Sequence, residues 1–205
     1  RKTDQERCQN LVEEIFNTDS ALDEKYEVSL KMDGSSVTFY HNEGNVGVCS
    51  RNLELKINEE NAGNTLVRTF IDSGLSTHLP ALGNYAIQGE LMGPKIQGNR
   101  EGLREPTFFV FDIQNLDTGE YLGTNDRNEL LFKLSELGVK LRHVPVYFNF
   151  VSLRELKISN VDELLAYAEG PSLVHPVREG LVFKRVDGQF SFKSISNEYL
   201  LKKKE

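Results

Sequence analysis

From Tyr26 to Asn52 the chain alternates apolar and polar positions with a period of two. Tyr26, Val28 and Leu30 fall on one face and Glu27, Ser29 and Lys31 on the other, which is the pattern of a β-strand. Asp33-Gly34 then reads as a tight turn ahead of a second alternating run, Ser36 to Tyr40. The two runs are therefore expected to pair as one antiparallel sheet. Asn42-Glu43-Gly44-Asn45 supplies another hairpin connection, into Val46 to Asn52. Asn84 to Met92 forms the next strand, followed by a loop rich in glycine and proline from Gly93 to Gly102. Pro106 to Ile113 is apolar almost without interruption, as in a strand covered on both faces. Late in the chain, Glu179 to Lys184 and Phe190 to Lys193 flank Asp187-Gly188, a strong hairpin signal that can bring Glu179 and Lys193 to the same end of a sheet.

Helical spacing interrupts these runs. Thr3-Asp4-Gln5-Glu6 has the form of a capping box, and Cys8, Leu11, Val12, Ile15 and Phe16 follow on one stripe, predicting an amphipathic helix that ends near Asn17. Arg7 lies off that stripe, either solvated or able to reach an anion from the helix N-terminal turn. Asn64 to Leu75 carries Leu66, Val67, Phe70 and Ile71 at helical spacing and stops at Gly74. Asn125 to Leu137 puts Leu130, Leu131, Leu134 and Leu137 on one face, with Gly138 just beyond, and a further helix follows Asn160. Strands and helices in this arrangement predict an α+β fold. With 205 residues the chain can bury a substantial core, and we read residues 1–205 as one domain, although the length also allows two small ones.

Composition narrows the surroundings. Cys8 and Cys49 are too few for a disulfide framework and have no metal-ligand spacing, so free thiols are expected. His41, His78, His143 and His175 show neither ligand spacing nor triad context and read as surface or satisfied structural residues. No apolar run approaches the roughly 20 residues of a membrane span, and the polar N-terminus is unlike a signal peptide, so the expectation is an intracellular protein without membrane contact. The net charge of −7 argues against a domain that grips nucleic acid through a broad basic surface. It leaves room for carboxylates around a divalent metal and for a local cluster of cations on phosphate.

Within that frame Lys31 stands out, at a strand end beside Asp33-Gly34. By spacing alone it is either a solvated edge lysine or a nucleophilic amine whose ammonium is destabilised by neighbouring cations and burial. The four residues Lys31-Met32-Asp33-Gly34 resemble the K-x-D-G signature of the covalent nucleotidyltransferases: ATP-dependent DNA ligases, RNA ligases and mRNA capping enzymes. Further segments resemble that superfamily's other motifs in the same order. They are Gln88-Gly89-Glu90-Leu91-Met92-Gly93-Pro94, Phe109-Val110-Phe111-Asp112, Arg178-Glu179-Gly180-Leu181-Val182-Phe183-Lys184 and Phe192-Lys193. Gly93-Pro94-Lys95-Ile96-Gln97-Gly98-Asn99 and Ser196-Asn197-Glu198-Tyr199-Leu200-Leu201-Lys202 are similar to ATP-dependent RNA ligases of the Naegleria/Deinococcus type.

The resemblance implies antiparallel sheets with flanking helices around an ATP cleft. It implies that Lys31 attacks the α-phosphorus of ATP to give lysyl-AMP, that Lys193 contacts the α-phosphate, and that Glu179 supports a catalytic Mg²⁺ or Mn²⁺. Glu90 would bind the ribose, Phe111 would stack on the adenine, and Arg51 would contact phosphate or ribose. Asp33, Glu90 and Glu179 could hold the metal directly or through water. Without the resemblance, Glu90 and Glu179 read first as ordinary strand-end carboxylates whose neighbouring glycine marks a turn, Phe111 as core or base-stacking, and Phe109 as core. The implied partner is RNA with 5′-phosphate and 3′-hydroxyl ends in a nicked duplex, sealed by a monomer in RNA repair. The implied family architecture places an OB-like domain ahead of the catalytic one, and this chain is expected to lack it. The alternatives are a DNA ligase, a capping-type nucleotidyltransferase, and a nucleotide or nucleic-acid binding module without catalysis.

Overall fold

The computed structural model describes residues 4–204. Among them the strands are β1 (Lys25–Lys31), β2 (Ser35–Asn42), β3 (Asn45–Ser50), β4 (Glu54–Leu55), β5 (Tyr85–Met92), β6 (Thr107–Asn115), β7 (Arg142–His143), β8 (Val146–Ser152), β9 (Gly180–Arg185) and β10 (Ser191–Ile195). The α-helices are α1 (Val12–Phe16), α2 (Thr65–Asp72), α3 (Leu75–His78), α4 (Thr124–Glu136), α5 (Val161–Tyr167) and α6 (Asn197–Lys202). None of these helices is long and apolar enough to cross a membrane. The chain divides into two compact units. One runs from Gly34 to His143; the other joins Asp4–Asp33 to the chain from Val144 on. They are called here the Glu90 unit and the Lys31 unit.

The Lys31 unit is built on a four-stranded antiparallel sheet, ordered β10-β9-β1-β8. Tyr26, Val28, Leu181, Phe183 and Phe192 turn one face of it onto Cys8, Ile15, Leu153, Ile158 and Leu164. Phe183 and Phe192 stack at 5.0 Å and Tyr26 meets both edge-on, a geometry favoured by the ring quadrupoles. The opposite face carries Glu27, Ser29 and Lys31, and Lys31 ends a strand that lies inside the sheet, paired with Gly180 of β9. Glu27 is 1% exposed and Lys184, directly opposite it in register, 3%, so the face read as polar is buried as well.

The Glu90 unit has a six-stranded sheet ordered β4-β3-β2-β5-β6-β7, antiparallel except for β6 with β7. Its core face, with Phe39, Ile87, Leu91, Phe108 and Val110, packs under Phe70, Leu75, Leu130 and Leu134 from the helices. Phe39 and Phe70 stack at 5.0 Å. Asn64 caps α2 by accepting from the Leu66 and Val67 amides, and Gly74 ends it with φ of 81°. Asn160 caps α5 in the Lys31 unit in the same manner.

Three expectations need correction. The runs on either side of Gly34 do not pair with each other: β1 pairs with β8 and β9, and β2 with β3 and β5. Asp33-Gly34 is thus a passage between sheets instead of a hairpin turn. The first helix is shorter than its stripe suggested. Thr3 lies outside the described residues, a 3₁₀ turn spans Cys8–Asn10, and α1 begins only at Val12. The reason is that Lys193 donates its backbone N–H to the Glu6 carbonyl at 2.9 Å, so residues 6 and 7 bridge to edge strand β10 and are unavailable to a helix. Leu137, expected on the buried stripe of α4, caps that helix and is 42% exposed.

Candidate active site

Lys31 closes β1 with its Cα opposite Gly180, so the residue before Gly180 meets it at the strand end. Lys31 Nζ lies 3.6 Å from Glu179 Oε1, with the two side chains only 20% and 16% exposed. Lys193 projects from the same face of the sheet as Lys31, opposite the core face that holds Phe192. Burial, reinforced by the charges of Lys31 and Arg7, pushes the Lys193 ammonium below the usual lysine range, against the pull of Asp4 and Glu179. Burial likewise pushes the Glu179 carboxyl up, with Asp33 adding to the shift while Lys31, Lys203 and Lys193 oppose it.

These shifts describe a site short of counter-charge in both directions. Crowded cations favour an incoming polyphosphate, and a carboxylate that is costly to ionise favours an incoming cation. Glu179 Oε2 is buried and has no hydrogen-bond partner, so it fits as a metal donor. Among the described residues no three His, Cys, Asp or Glu side chains converge as a metal cage. Mg²⁺ needs none when substrate phosphates and water complete its shell.

The glycines of both signatures are set by close approach. A Cβ on Gly180 would stand 2.2 Å from the Ser194 carbonyl oxygen, and one on Gly34 would stand 2.3 Å from that of Leu91.

In the Glu90 unit, Glu90 Oε1 accepts the Gly34 N–H at 3.0 Å, tying the third motif to the glycine of the first. Register puts Glu90 opposite Ser36, and Gln88 opposite Thr38 and Asp112, on the face away from the core. A cavity of about 710 Å³ opens over this face, lined by Ser36, Thr38, Tyr40, Arg51, Gln88 and Gln114 among others. Gln88 is 3% exposed and its Oε1 lacks a hydrogen-bond partner, so it offers an acceptor there. Arg51 follows the end of β3 and is exposed. Phe111 sits on a bulge where Gln88 pairs with Asp112 but Gly89 with Val110; it is half-buried and outside the core cluster. Phe109 is buried as expected, although it too lies outside that cluster, with the Arg142 guanidinium 5.9 Å over its ring.

Three contributors escaped the sequence reading. The Arg178 guanidinium donates to the carbonyls of Ala168 (2.8 Å), Tyr167 (2.9 Å) and Glu169 (3.0 Å), closing the C-terminus of α5 beside Glu179. Tyr199 of α6 donates its hydroxyl to Asp33 Oδ2 at 2.7 Å, and Lys203 Nζ donates to Tyr199 Oη at 2.8 Å. Arg178 and Tyr199 both stand inside segments that resemble family phrases, but nothing local marks their contacts. Three of the histidines are satisfied structural residues, as expected: His41 bonds the Gly83 carbonyl and Gly44 amide, His175 accepts from Val177, and His143 accepts from Arg127. Both cysteines are free.

A lysine at a strand end against a buried glutamate, with a second lysine on the same sheet face, defines together with the two sheets a nucleotidyltransferase-type fold of the ligase and capping class. The family model described as RNA ligase matches residues 24–197. The chain belongs to the RNA ligase family. It is similar to a lysine-to-alanine mutant of Naegleria gruberi RNA ligase with ATP and Mn, at 41% identity and a TM-score of 0.88, covering 100% of this chain and 57% of that one. A glutamate-to-alanine mutant of the same ligase with AMP and Mn matches at 42% identity and TM-score 0.88, over 98% of this chain and 57% of the other. The ligase with PPi matches at 42% and 0.87, over 100% and 58%. The chain thus spans a little under three-fifths of these solved relatives. No curated protein matches it.

Proposed function

We propose that this chain is the adenylyltransferase part of an ATP-dependent RNA ligase. The observation that supports it most is the Lys31–Glu179 pair at 3.6 Å, with Lys193 on the same sheet face. In the first step Lys31 Nζ, as neutral amine, forms a bond to the α-phosphorus of ATP. The bond to the bridging oxygen breaks, pyrophosphate leaves with its electron pair, the nitrogen gives up one proton to water, and a lysyl-AMP phosphoramidate remains. In the second, a 5′-phosphate oxygen of RNA attacks that phosphorus and Lys31 departs with the electron pair, taking up a proton. In the third, an RNA 3′-hydroxyl attacks the activated 5′-phosphate, loses its proton and expels AMP.

Phosphoryl transfer is chiefly positioning and charge stabilisation, so each residue has a simple task. Lys193 places positive charge on the α-phosphate, and Arg51 holds phosphate or ribose. Glu90 binds the ribose and Phe111 stacks on the base. Glu179, with Asp33 and Glu90 directly or through water, would hold Mg²⁺ or Mn²⁺. When bound, that ion offsets the charge building on the phosphate oxygens. The relatives solved with ATP and Mn, AMP and Mn, and PPi support nucleotide, metal and leaving group in turn. The substrate we favour is a nicked duplex with RNA 5′-phosphate and 3′-hydroxyl ends, bound by a monomer.

Incubation with ATP and Mg²⁺ followed by intact-mass measurement tests the reading. One AMP adduct is expected, mapped to Lys31 and absent from Lys31→Ala. An adduct on another lysine, or none on the parent chain, would overturn it.

A further inference from the structure

Glu179 and Asp33 flank Lys31, and both are tied to the segment that starts at Ser196. Ser196 donates its backbone N–H to the Glu179 carbonyl at 2.8 Å. The Glu169 carboxylate gathers the start of α6, accepting from Ser196 Oγ (2.5 Å) and from the amides of Asn197 (2.8 Å) and Glu198 (3.3 Å). Arg178 locks the carbonyl of that same Glu169 together with those of Tyr167 and Ala168. One turn into α6, Tyr199 is 5% exposed and packs with Val177, Ile195 and Leu200. Its hydroxyl reaches Asp33 Oδ2 at 2.7 Å, and Lys203 stands 3.8 Å from the same oxygen.

We propose that Tyr199 is a positioning residue for lysine adenylation, and that α6 is a strap which fixes the Asp33 carboxylate relative to the Lys31–Glu179 pair. The inference rests on the adenylyltransferase reading and adds a residue that carries none of its chemistry.

Donors on two sides compete for the Asp33 carboxylate. Asp33 lies two residues beyond Lys31, and its side chain is only 14% exposed, so its charge is weakly screened. Its carboxylate is held by a phenol and an ammonium on α6, and once released from them it is drawn toward the lysine that must attack phosphorus. The Tyr199 hydroxyl, placed by a buried ring and completed by Lys203, keeps it on α6. Without it Asp33 is free to swing toward Lys31 and pull the amine from its line of attack, a misplacement that costs rate even where binding is intact.

Tyr199→Phe removes one oxygen from a buried ring and keeps the packing. In single-turnover self-adenylation followed by intact mass across an ATP series, we expect the saturated rate to fall about tenfold or more, the typical weight of a hydrogen bond to a charged group. The ATP concentration for half-maximal rate should stay within about twofold, since ground-state binding is untouched. Leu201→Ala, on the exposed side of the same helix, should adenylate like the parent. In an Asp33→Ala background Tyr199→Phe should add no further loss, and the two substitutions should also be non-additive in thermal unfolding, a readout that needs no activity. A rate for Tyr199→Phe within twofold of the parent, an equal fall in Leu201→Ala, a loss confined to half-saturation, or full additivity with Asp33→Ala would each overturn the proposal. A parent chain that forms no adduct would instead sink the adenylyltransferase reading, so the two failures are separable.

Discussion

Replacing Glu179 by glutamine separates stability from chemistry at the centre of the site. The change keeps the shape of the side chain and removes its charge 3.6 Å from Lys31. At that separation two unit charges attract by roughly 4–5 kcal/mol for an effective dielectric near 20. Withdrawing the pair from water costs several kcal/mol per ion. The balance is visible in the Glu179 carboxyl, which burial pushes above its ordinary value of 4.5 despite three nearby lysines. In the folded protein it therefore holds its proton to higher pH than in the unfolded chain. The stability this group contributes is complete below pH 4.5 and is lost as pH rises through the folded value. Glu179→Gln escapes that loss, so its melting temperature should match or exceed the parent's at pH 7, with the difference shrinking as pH falls toward 4.5.

Adenylation should move the other way. On the roles proposed above, losing the charged acceptor beside Lys31 and a donor for the metal should cost about 2–3 kcal/mol in the transition state. That corresponds to a chemical step roughly 30- to 150-fold slower. The assay is single-turnover AMP transfer by intact mass over a range of ATP, paired with thermal unfolding between pH 4.5 and 7.5. A variant whose saturated rate equals the parent's, failing only through weaker half-saturation, would refute the reasoning, as would a large loss of melting temperature at pH 7.

Glu90→Ala should lower stability by about 1–3 kcal/mol by leaving the Gly34 N–H without its acceptor, whereas Glu90→Gln should recover most of it; urea unfolding of the two measures the difference, and equal midpoints would show that the contact carries little. Gly180→Ala forces a Cβ to within 2.2 Å of the Ser194 carbonyl, so β9 and β10 must separate at a cost of roughly 1–3 kcal/mol or more, read as an earlier unfolding midpoint. With a net charge of −7 the chain has little long-range attraction for a polyanion, so sealing of nicked duplexes should be poor from the outset, and the local phosphate contacts that support it should weaken further as salt is raised while self-adenylation changes little. Parallel salt dependence of the two activities would count against that argument.

What was legible in the sequence was local. The hairpins at 42–45 and 187–188, and the helices capped by Asn64 and Asn160, follow from residues within one turn of each other, where side-chain oxygens and glycine's freedom act directly on the backbone. The strands that carry Lys31, Glu90 and Lys193 were legible too, since period-two alternation assigns each side chain to a face wherever the strand is placed. The partners were not. Alternation fixes which side chains share a face but says nothing of which strand lies alongside, so the sequence led to β1 beside β2, whereas β1 lies between β8 and β9. The bridge that shortened the first helix depends on an unpaired strand edge formed some 190 residues later. Burial of Glu27 and Lys184 depends on what covers a face the alternation marks as polar, and the hold of Tyr199 on Asp33 joins positions 166 residues apart. Such choices are made when edges, buried faces and unsatisfied polar groups compete for each other across the whole chain, and only the tertiary structure records the outcome.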